Sequence, residues 1–369
     1  MQTSSLRYAV IGCAASIAPA HLGAIARIPG ARVAALCGLD RDDGERRAAE
    51  AGCAFFPDHR DLLSQTKPDV AVICTPHPTH ATIAIDCLEA GAHVLVEKPM
   101  AVEVAEADAM IAAAEKAGRV LAVCFQERFR PAVQQARAFM AAGGLGSLAR
   151  VLCVEPSLRT AAYFKSAPWR GTWRGEGGGV LLNQASHALD LVSHLVGLPV
   201  TVSGRTRTRF HAIECEDSAQ AVFEYPNGAP GYFTASTAEW GVPRQLQILG
   251  DRACVELSGD DLSIRRLEPA LSAFMSTSSD PKGKPAVLTS RPDLGAAPSP
   301  GHLAVHRDLW EAITAGREPR CSGREGLSSL EMANAIALSS HQGRPVSLPV
   351  DREAYRALMR RLTSPSAPG

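Results

Sequence analysis

The stretch that decides the fold is residues 93–99, with the sequence HVLVEKP. Its apolar run lies between two helical patterns and predicts a buried strand of a parallel sheet. A charged pair at the carboxyl end of such a strand lies where open α/β sheets bind their ligands, and Pro99 ends the strand. The stretch therefore predicts that Lys98 points into a cleft with Glu97 beside it. A solvated lysine paired with Glu97 is the alternative.

The composition indicates a globular protein without a strong charge bias. The 369 residues suffice for about two domains. Apolar residues make up 46% of the chain, which is ample for a core. Lys+Arg and Asp+Glu both number 38, so the charge favours neither nucleic acid nor an anionic membrane as a partner. The first residues lack the apolar centre of a signal peptide, and no later run is long enough to span a bilayer.

The ten cysteines are scattered, and none has CxxC spacing. Several lie inside apolar strand patterns, among them Cys37, Cys74 and Cys124, as buried thiols do in reducing compartments. The spacing predicts neither a disulfide framework nor a zinc cluster. We therefore expect a cytoplasmic protein that holds no metal.

Outward from residues 93–99, strand patterns alternate with helix patterns over the first part of the chain. Such alternation predicts a doubly wound parallel sheet of the Rossmann type, with the strand carboxyl ends along one edge. We assign it to residues 1–127. The predicted strands cover residues 7–12, 32–37, 70–75, 93–96 and 120–125, and the predicted helices cover residues 19–28, 40–50, 79–90 and 102–117.

Residues 128–362 have a different pattern, in which strands follow one another with few helices between them. This predicts an α+β domain with a mainly antiparallel open sheet covered by helices. The Ser-, Pro- and Gly-rich residues 271–300 are expected to form a mobile loop, and residues 363–369 a disordered tail. The predicted strands cover residues 148–155, 200–210, 218–225, 231–236, 244–249 and 253–257, and the predicted helices cover residues 132–142, 181–196, 302–315 and 323–340.

A turn of small residues follows the first predicted strand. Residues 12–18, with the sequence GCAASIA, occupy the place of a dinucleotide-binding GxGxxG motif but keep only its first glycine. Small side chains still let backbone amides approach a pyrophosphate at the start of the next helix. A purely structural turn is the alternative. The expected cofactor contacts here are Gly12, Ala14, Ala15, Ser16 and Ile17.

The end of the second predicted strand bears on the choice between NAD and NADP. An acid at this place binds the ribose hydroxyls of NAD, but Gly38 stands where it is expected, followed by Asp40 and Arg41. Asp40 offers a replacement carboxylate and Arg41 a partner for a 2′-phosphate. A solvated helix start is the alternative for both. The sequence therefore predicts NAD or NADP and leaves the choice open.

Two histidine-containing segments are weaker candidates. Thr75, Pro76 and His80 follow a strand and are expected to line the cofactor cleft, with a rigid turn as the alternative. His302 and His306 have metal-ligand spacing on a helix. Because no third ligand is suggested, we expect them on a surface face.

The most unusual composition lies in residues 169–179, with the sequence WRGTWRGEGGG. Three successive glycines invite close backbone approach or a flexible lid. Tryptophans and arginines suit polyol recognition, since they offer ring faces for stacking and guanidinium forks for hydroxyl groups. An anchored surface loop is the alternative. The expected sugar contacts in and before this stretch are Arg159, Tyr163, Trp169 and Trp173.

Polar residues share one face of the predicted helix 181–196 that follows. Asn183, His187, Asp190 and His194 recur at helical spacing. Four aligned polar groups directly after a glycine loop favour a site over structural histidines.

Together these motifs resemble the Gfo/Idh/MocA family, the glucose–fructose oxidoreductase and inositol dehydrogenase group. The resemblance covers almost the whole chain and implies a Rossmann domain followed by a larger antiparallel sheet that often forms dimers or tetramers. It implies that Lys98 and His187 are catalytic, with Glu97 and Lys98 beside the cofactor. The matching segments are residues 12–21, Thr75-Pro76 with His80, Glu97-Lys98-Pro99, Phe129-Arg130-Pro131, Gly177-Gly178-Gly179 with His187 and Asp190, and Gly343-Arg344-Pro345-Val346.

We therefore expect an NAD(P)-dependent dehydrogenase that oxidises a secondary hydroxyl of a pyranose or related polyol. We expect a homodimer or homotetramer with no nucleic acid or membrane partner. His187, with a resting pKa near neutrality, is expected to take the hydroxyl proton, and Lys98 to stabilise the developing alkoxide. Asn183, which many inositol-type relatives replace by aspartate, is expected to orient the substrate or His187 and favours a sugar or glycoside dehydrogenase.

Two alternatives remain open from the sequence. One is a redox-neutral enzyme of glycosidase or epimerase type that recycles a tightly bound cofactor. The other is a non-catalytic nucleotide-binding regulator, which the altered glycine motif favours and the intact Lys98 and His187 oppose.

Overall fold

The computed structural model describes residues 5–295 and 301–364. In these residues six parallel strands form the first sheet: β1 (Leu6–Ile11), β2 (Ala31–Cys37), β3 (Ala54–Phe56), β4 (Val70–Ile73), β5 (His93–Val96) and β6 (Leu121–Val123). Their order is β3-β2-β1-β4-β5-β6. The predicted doubly wound parallel sheet is therefore confirmed. The strand order reverses beside β1 and β4, where such sheets bind their ligands.

Helices connect the strands of this sheet. They are α1 (Ala18–Ile25), α2 (Arg41–Ala51), α3 (His59–Thr66), α4 (His80–Glu89) and α5 (Val104–Ala117). Side-chain caps fix where two of them begin: Asp40 accepts a 3.1 Å bond from the Asp43 amide, and Asp58 accepts a 2.7 Å bond from the Arg60 amide. The sequence prediction lacks β3 and α3, because a three-residue edge strand and a short polar helix carry little hydrophobic periodicity.

Within the same residues nine strands form the second sheet: β7 (Leu148–Pro156), β8 (Thr201–Arg207), β9 (Ser218–Glu224), β10 (Pro230–Ser236), β11 (Gln245–Gly250), β12 (Ala253–Ser258), β13 (Asp261–Glu268), β14 (Ala286–Ser290) and β15 (Val346–Ser347). Their order is β14-β13-β12-β11-β7-β10-β9-β8-β15. Neighbours are antiparallel except β7 and β10, which are parallel. This is the mainly antiparallel open sheet that was predicted.

The helices of the second part are α6 (Pro131–Ala141), α7 (Ala161–Lys165), α8 (Trp173–Glu176), α9 (Ser186–Val196), α10 (Leu271–Thr277), α11 (Gly301–Ala315), α12 (Gly323–Gln342) and α13 (Arg352–Thr363). Three predictions need correction. The helix expected over residues 181–196 begins only at Ser186. The expected loop 271–300 contains α10 and β14, and its residues 296–300 lie outside the described chain. Helix α13 was not predicted and enters the expected tail, whose residues 365–369 also lie outside the described chain.

Helix α11 returns from the second part of the chain to pack on α1. Val305 and Leu309 are buried in the same apolar core as Tyr8 and Val10 of β1. The His306 ring centre lies 5.9 Å from that of Tyr8. A helix that follows the second sheet therefore completes the core of the first.

Two further findings concern the whole described chain. No helix within it is both long and apolar enough to cross a bilayer. All ten cysteines are free thiols, and all except Cys53 are buried.

Candidate active site

Lys98 lies directly after β5, at the carboxyl edge of the first sheet. Its Nζ donates a 2.8 Å hydrogen bond to the backbone carbonyl of Asn183. Burial lowers the pKa of Lys98, and the charge of Glu97 offsets part of that shift. Lys98 is therefore partly desolvated and bonded to the backbone, and the cleft that it is expected to point into stays a prediction.

The Glu97 carboxylate is contacted by histidines as well as being close to Lys98. Its Oε1 lies 2.9 Å from Nε2 of His21 and 3.6 Å from Nε2 of His302, and His21 Nδ1 lies 2.8 Å from His306 Nε2. Burial acts to raise the pKa of Glu97, but these histidines and the Lys98 charge hold it well below its usual value. The surface face expected for His302 and His306 is wrong, because α11 packs on the helix that carries His21.

His187 lies in the first turn of α9 and is buried. Within the described residues its Nδ1 has no hydrogen-bond partner, and its Nε2 lies 3.4 Å from the side-chain amide nitrogen of Gln126. Burial, followed by the charge of Lys98, lowers the pKa of His187 to about 3. The imidazole is therefore neutral at physiological pH, and the expectation of a pKa near neutrality is wrong.

Asn183 connects Lys98 to a network of polar side chains. Its Nδ2 donates to the Tyr163 hydroxyl at 3.1 Å and also to Glu176. Burial raises the pKa of Glu176. In the described chain the Asn183 side chain makes no hydrogen bond to His187, so the structure does not support a role in orienting that residue. Its carbonyl positions Lys98 instead.

Three of the expected sugar contacts, Arg159, Tyr163 and Trp169, lie in one cluster with Arg170. The guanidinium carbon of Arg170 lies 4.2 Å from the ring centre of Tyr163 and 4.4 Å from that of Trp169. The guanidinium carbon of Arg159 lies 5.1 Å from the Tyr163 ring centre. Because Tyr163 bonds to Asn183, this cluster borders the cleft that contains Lys98.

Trp173 and Asp190 make contacts inside the fold. The Trp173 ring packs against His341 of α12 at a centroid distance of 6.3 Å, and its assignment as a sugar contact stays a prediction. Asp190 forms a buried ion pair with Arg128, with Nη2 and Oδ1 2.6 Å apart. This pair anchors α9, the helix that carries His187.

The triple glycine forms a tightly packed turn and not a flexible lid. A Cβ on Gly179 would clash with the carbonyl oxygen of Glu216. The amides of Gly179 and Leu181 donate to the Glu216 carboxylate at 2.9 and 3.1 Å, and the Val180 amide donates to its carbonyl at 2.9 Å. Since Glu216 binds these amides, regular helix begins only afterwards, at Ser186.

The turn after β1 fits the phosphates of a dinucleotide. Gly12 has a φ of +88°, and a Cβ there would lie 2.8 Å from the backbone of Cys74 and Thr75. No side chain caps the start of α1. Its approach therefore presents free amides to an anion. Within the described residues no backbone acceptor binds the amides of Ala14, Ser16 and Ile17, whereas that of Ala15 donates to Gly12.

The packing at the end of β2 explains why Gly38 stands where an acidic residue is expected. A Cβ on Gly38 would lie 2.9 Å from Sγ of Cys13, so the thiol in the glycine turn leaves no room for a side chain. Asp40 and Arg41 are exposed: Asp40 caps α2, and Arg41 pairs with Glu45 at 3.0 Å. Both remain predictions for the ribose end of the cofactor.

His80 lies behind the cleft. Its two ring nitrogens lie 2.8 Å from the Thr75 carbonyl and 2.9 Å from the Pro99 carbonyl, which ties the turn after β4 to the turn after β5. Its assignment as a cofactor contact stays a prediction, although both ring nitrogens face protein acceptors. Thr75 and Pro76 remain predictions for the rim.

Sequence reasoning missed three residues of this site: Gln126, Arg170 and Glu176. Arg170 and Glu176 lie within residues 169–179. Their charges, placed among glycines and tryptophans, could have marked them as site residues. Gln126 lies three residues after the end of β6, and no local pattern marks it.

The Rossmann sheet, the uncapped turn after β1 and the Lys98–His187 cleft define a nicotinamide-dependent oxidoreductase. A model of an oxidoreductase family with an NAD-binding Rossmann fold matches residues 6–125, and a model of the GFO/IDH/MocA C-terminal domain matches residues 133–256. The chain belongs to the Gfo/Idh/MocA family.

Its relatives include several named dehydrogenases. D-apiose dehydrogenase of Paraburkholderia graminis is 30% identical over 92% of this chain and 89% of its own length. D-glucoside 3-dehydrogenase of Escherichia coli is 30% identical over 55% of this chain and 57% of its own length. The WlbA dehydrogenase of Chromobacterium violaceum, solved with NADH and UDP-GlcNAcA, has a TM-score of 0.81 at 29% identity, covering 95% of this chain and 98% of its own.

Proposed function

We propose that the protein oxidises a secondary hydroxyl of a sugar, glycoside or cyclitol to a ketone, or catalyses the reverse reduction. The observation that carries this proposal is the 2.8 Å bond from Lys98 Nζ to the Asn183 carbonyl, which joins the lysine to the segment leading into His187. The names of the sugar dehydrogenases among its relatives support the substrate class.

The cofactor would be held by the turn after β1, with Asp40 and Arg41 at its ribose end. When bound, this cofactor would supply an acceptor for the hydride of the carbinol carbon. His187, neutral because its pKa is about 3, accepts the hydroxyl proton and later releases it to solvent. Lys98 donates a hydrogen bond to the reacting oxygen and stabilises its negative charge. Asn183 positions Lys98 through its carbonyl.

We also propose that the chain works in the cytoplasm as a homodimer or homotetramer, divided into domains at residues 1–127 and 128–362. The buried free thiols support a reducing compartment. The exposed face of the second sheet supports assembly, since it carries apolar side chains such as Val222 and Tyr232.

The test is a panel of aldoses, uronic acids, glycosides and inositols, supplied with NAD or NADP and followed at 340 nm. We expect reduction of the cofactor with at least one of them and accumulation of the ketone. Retention of cofactor through purification, with a rearranged or hydrolysed product and no net absorbance change, would instead establish the redox-neutral alternative.

A further inference from the structure

We infer that the cleft contains a carboxylate subsite, formed by Arg159 and Arg170, and that the sugar oxidised here is an acidic one. This inference rests on the proposed function and names the class of sugar that the cleft accepts. It is carried by two guanidinium groups that stand beside the catalytic groups without acidic partners.

Arg170 presents one unused edge. Its Nη1 donates to the Tyr163 hydroxyl at 2.6 Å. Its Nε is buried and has no acceptor among the described residues. The Nε and Nη2 groups form the side of a guanidinium that binds both oxygens of a carboxylate. Stacking on Tyr163 and Trp169 holds the group in place, so little side-chain freedom is lost when an anion binds.

Arg159 adds a second positive charge. Its guanidinium lies against the ring of Tyr163, and its Nη1 donates to the Leu158 carbonyl at 2.8 Å. No carboxylate oxygen of the described residues lies within 4.0 Å of Arg159 or Arg170. Tyr163 therefore stands between two cations that lack a counter-charge.

Two arginines near α9 have acidic partners. Arg128 contacts Asp190 at 2.6 Å, and Arg244 contacts Glu155 at 2.7 Å. These acids compensate the charge of Arg128 and Arg244 within the fold. Arg159 and Arg170 have no such contact, which favours a ligand as their partner.

Glu176 does not supply the missing charge. Its carboxylate accepts hydrogen bonds from the Gly171 amide and from Asn183. Burial raises its pKa, and the charges of Arg170 and Lys98 offset part of that rise. Because Glu176 makes no ion-pair contact with Arg170, the hydrogen-bonding edge of that guanidinium stays available to a substrate.

The carboxylate subsite lies beside the proposed chemistry. The charge of Arg159 reaches Lys98 and contributes to lowering its pKa. Arg170 is joined to Lys98 through Tyr163 and Asn183, by contacts of 2.6, 3.1 and 2.8 Å. An anionic group bound by the arginines would therefore sit on the same side of the cleft as the reacting hydroxyl.

The experiment compares sugars that differ only at one carbon: glucose with glucuronate, galactose with galacturonate, and mannose with mannuronate. Oxidation is followed at 340 nm. Binding of each sugar to the enzyme loaded with NADH is measured by calorimetry, which requires no turnover. Arg159→Met and Arg170→Met remove one charge each, and Arg170→Lys keeps the charge but removes the fork. Arg174→Met is the control, because Arg174 is close in sequence yet exposed.

We expect at least one uronate to bind, and to be oxidised, about tenfold or more better than its neutral partner. Each Met variant should reduce the preference for the uronate over its neutral partner about ten- to a hundredfold. We expect an intermediate loss of this preference in Arg170→Lys and no loss in Arg174→Met. Equal or better binding of every neutral sugar overturns the inference, as does an unchanged ratio in both Met variants with native melting temperatures. Oxidation of neutral sugars alone would leave the proposed function standing, and oxidation of no sugar would refute that function separately.

Discussion

Lys98 and His187 divide the proposed chemistry between a cation and a neutral imidazole, and burial shapes the protonation of both. Burial opposes charge on each side chain, but Glu97 helps Lys98 to keep its proton, whereas the Lys98 charge drives His187 further toward the neutral form. The low pKa of the histidine is therefore partly a consequence of the lysine.

Lys98→Met should fold and bind cofactor normally but lose most turnover. Removal of one charge-stabilising donor costs about 3 kcal/mol, or about a hundredfold in kcat. Steady-state kinetics and a fluorescence titration with NADH separate the two effects. Lys116→Met, on the exposed side of α5, is the matched control. A kcat near that of the native enzyme would rule out the role given to Lys98.

The pH profile of oxidation should reflect Lys98 and not His187. With a pKa of about 3, His187 stays neutral from pH 5 upward, so kcat/KM should show no acidic limb near 6.5. Burial lowers the pKa of Lys98, so activity should fall at alkaline pH, below the usual range of a lysine, as the cation is lost. His187→Gln should reduce turnover but retain that limb. An acidic limb near neutrality that disappears in His187→Gln would contradict this assignment.

At the level of elements, the turn after β1 and the end of β2 form one packing unit. Gly38→Asp alone should destabilise the protein, because its Cβ would meet Cys13 Sγ at 2.9 Å. Combined with Cys13→Ala, the new carboxylate should favour NAD over NADP by about tenfold, since repulsion of the 2′-phosphate over a few ångströms is worth about 1 kcal/mol or more. Melting curves and the ratio of kcat/KM for the two cofactors test both parts. If the double variant prefers NAD over NADP no more strongly than Cys13→Ala does, the prediction on cofactor preference is refuted.

The loop between β8 and β9 should make stability depend on pH through Glu216. Burial raises the pKa of Glu216 to about 7, although backbone amides lower it. A carboxyl group that binds its proton more tightly in the folded state stabilises the fold at low pH. That contribution is lost as pH rises from about 4.5 to 7. Glu216→Gln keeps an acceptor oxygen and should gain up to about 3 kcal/mol over the native chain between pH 5 and pH 8.

Urea unfolding at both pH values measures this difference. Glu214→Gln, two residues away and exposed, is the control. If Glu216→Gln and the native chain lose stability in parallel between pH 5 and pH 8, the buried carboxyl is not the titrating group.

Local pattern was sufficient for most strands and for the motif that holds Lys98, because hydrophobic runs and the turn after β5 are encoded over a few residues. Local pattern was not sufficient to predict where His302 and His306 lie. Their partner His21 lies 285 residues from His306, so only the return of α11 buries His306 and partly covers His302. Helix α13 was also missed, although Tyr355, Leu358 and Met359 carry an apolar face.

For the whole molecule, the exposed face of the second sheet is the proposed assembly surface. Val222 of β9 and Tyr232 of β10 are direct cross-strand neighbours and are 49% and 43% exposed. An apolar pair on the open face of a nine-stranded sheet suits a second copy of the chain. Tyr232→Glu should therefore lower the mass measured by light scattering toward that of one chain.

Leu39→Glu is the matched control, because Leu39 is 96% exposed but lies at the end of β2. A native chain that is already monomeric, or a Tyr232→Glu variant of unchanged mass, would contradict this surface.

The return of α11 to β1 also has a consequence for biosynthesis. While a ribosome is still making the second sheet, the face of β1 that carries Tyr8 and Val10 lacks Val305 and Leu309, which bury it in the finished protein. The core of the nascent nucleotide-binding half thus stays incomplete through much of translation, with apolar surface exposed. A gene fragment that encodes only residues 1–127 should yield insoluble product unless residues 301–315 are supplied with it.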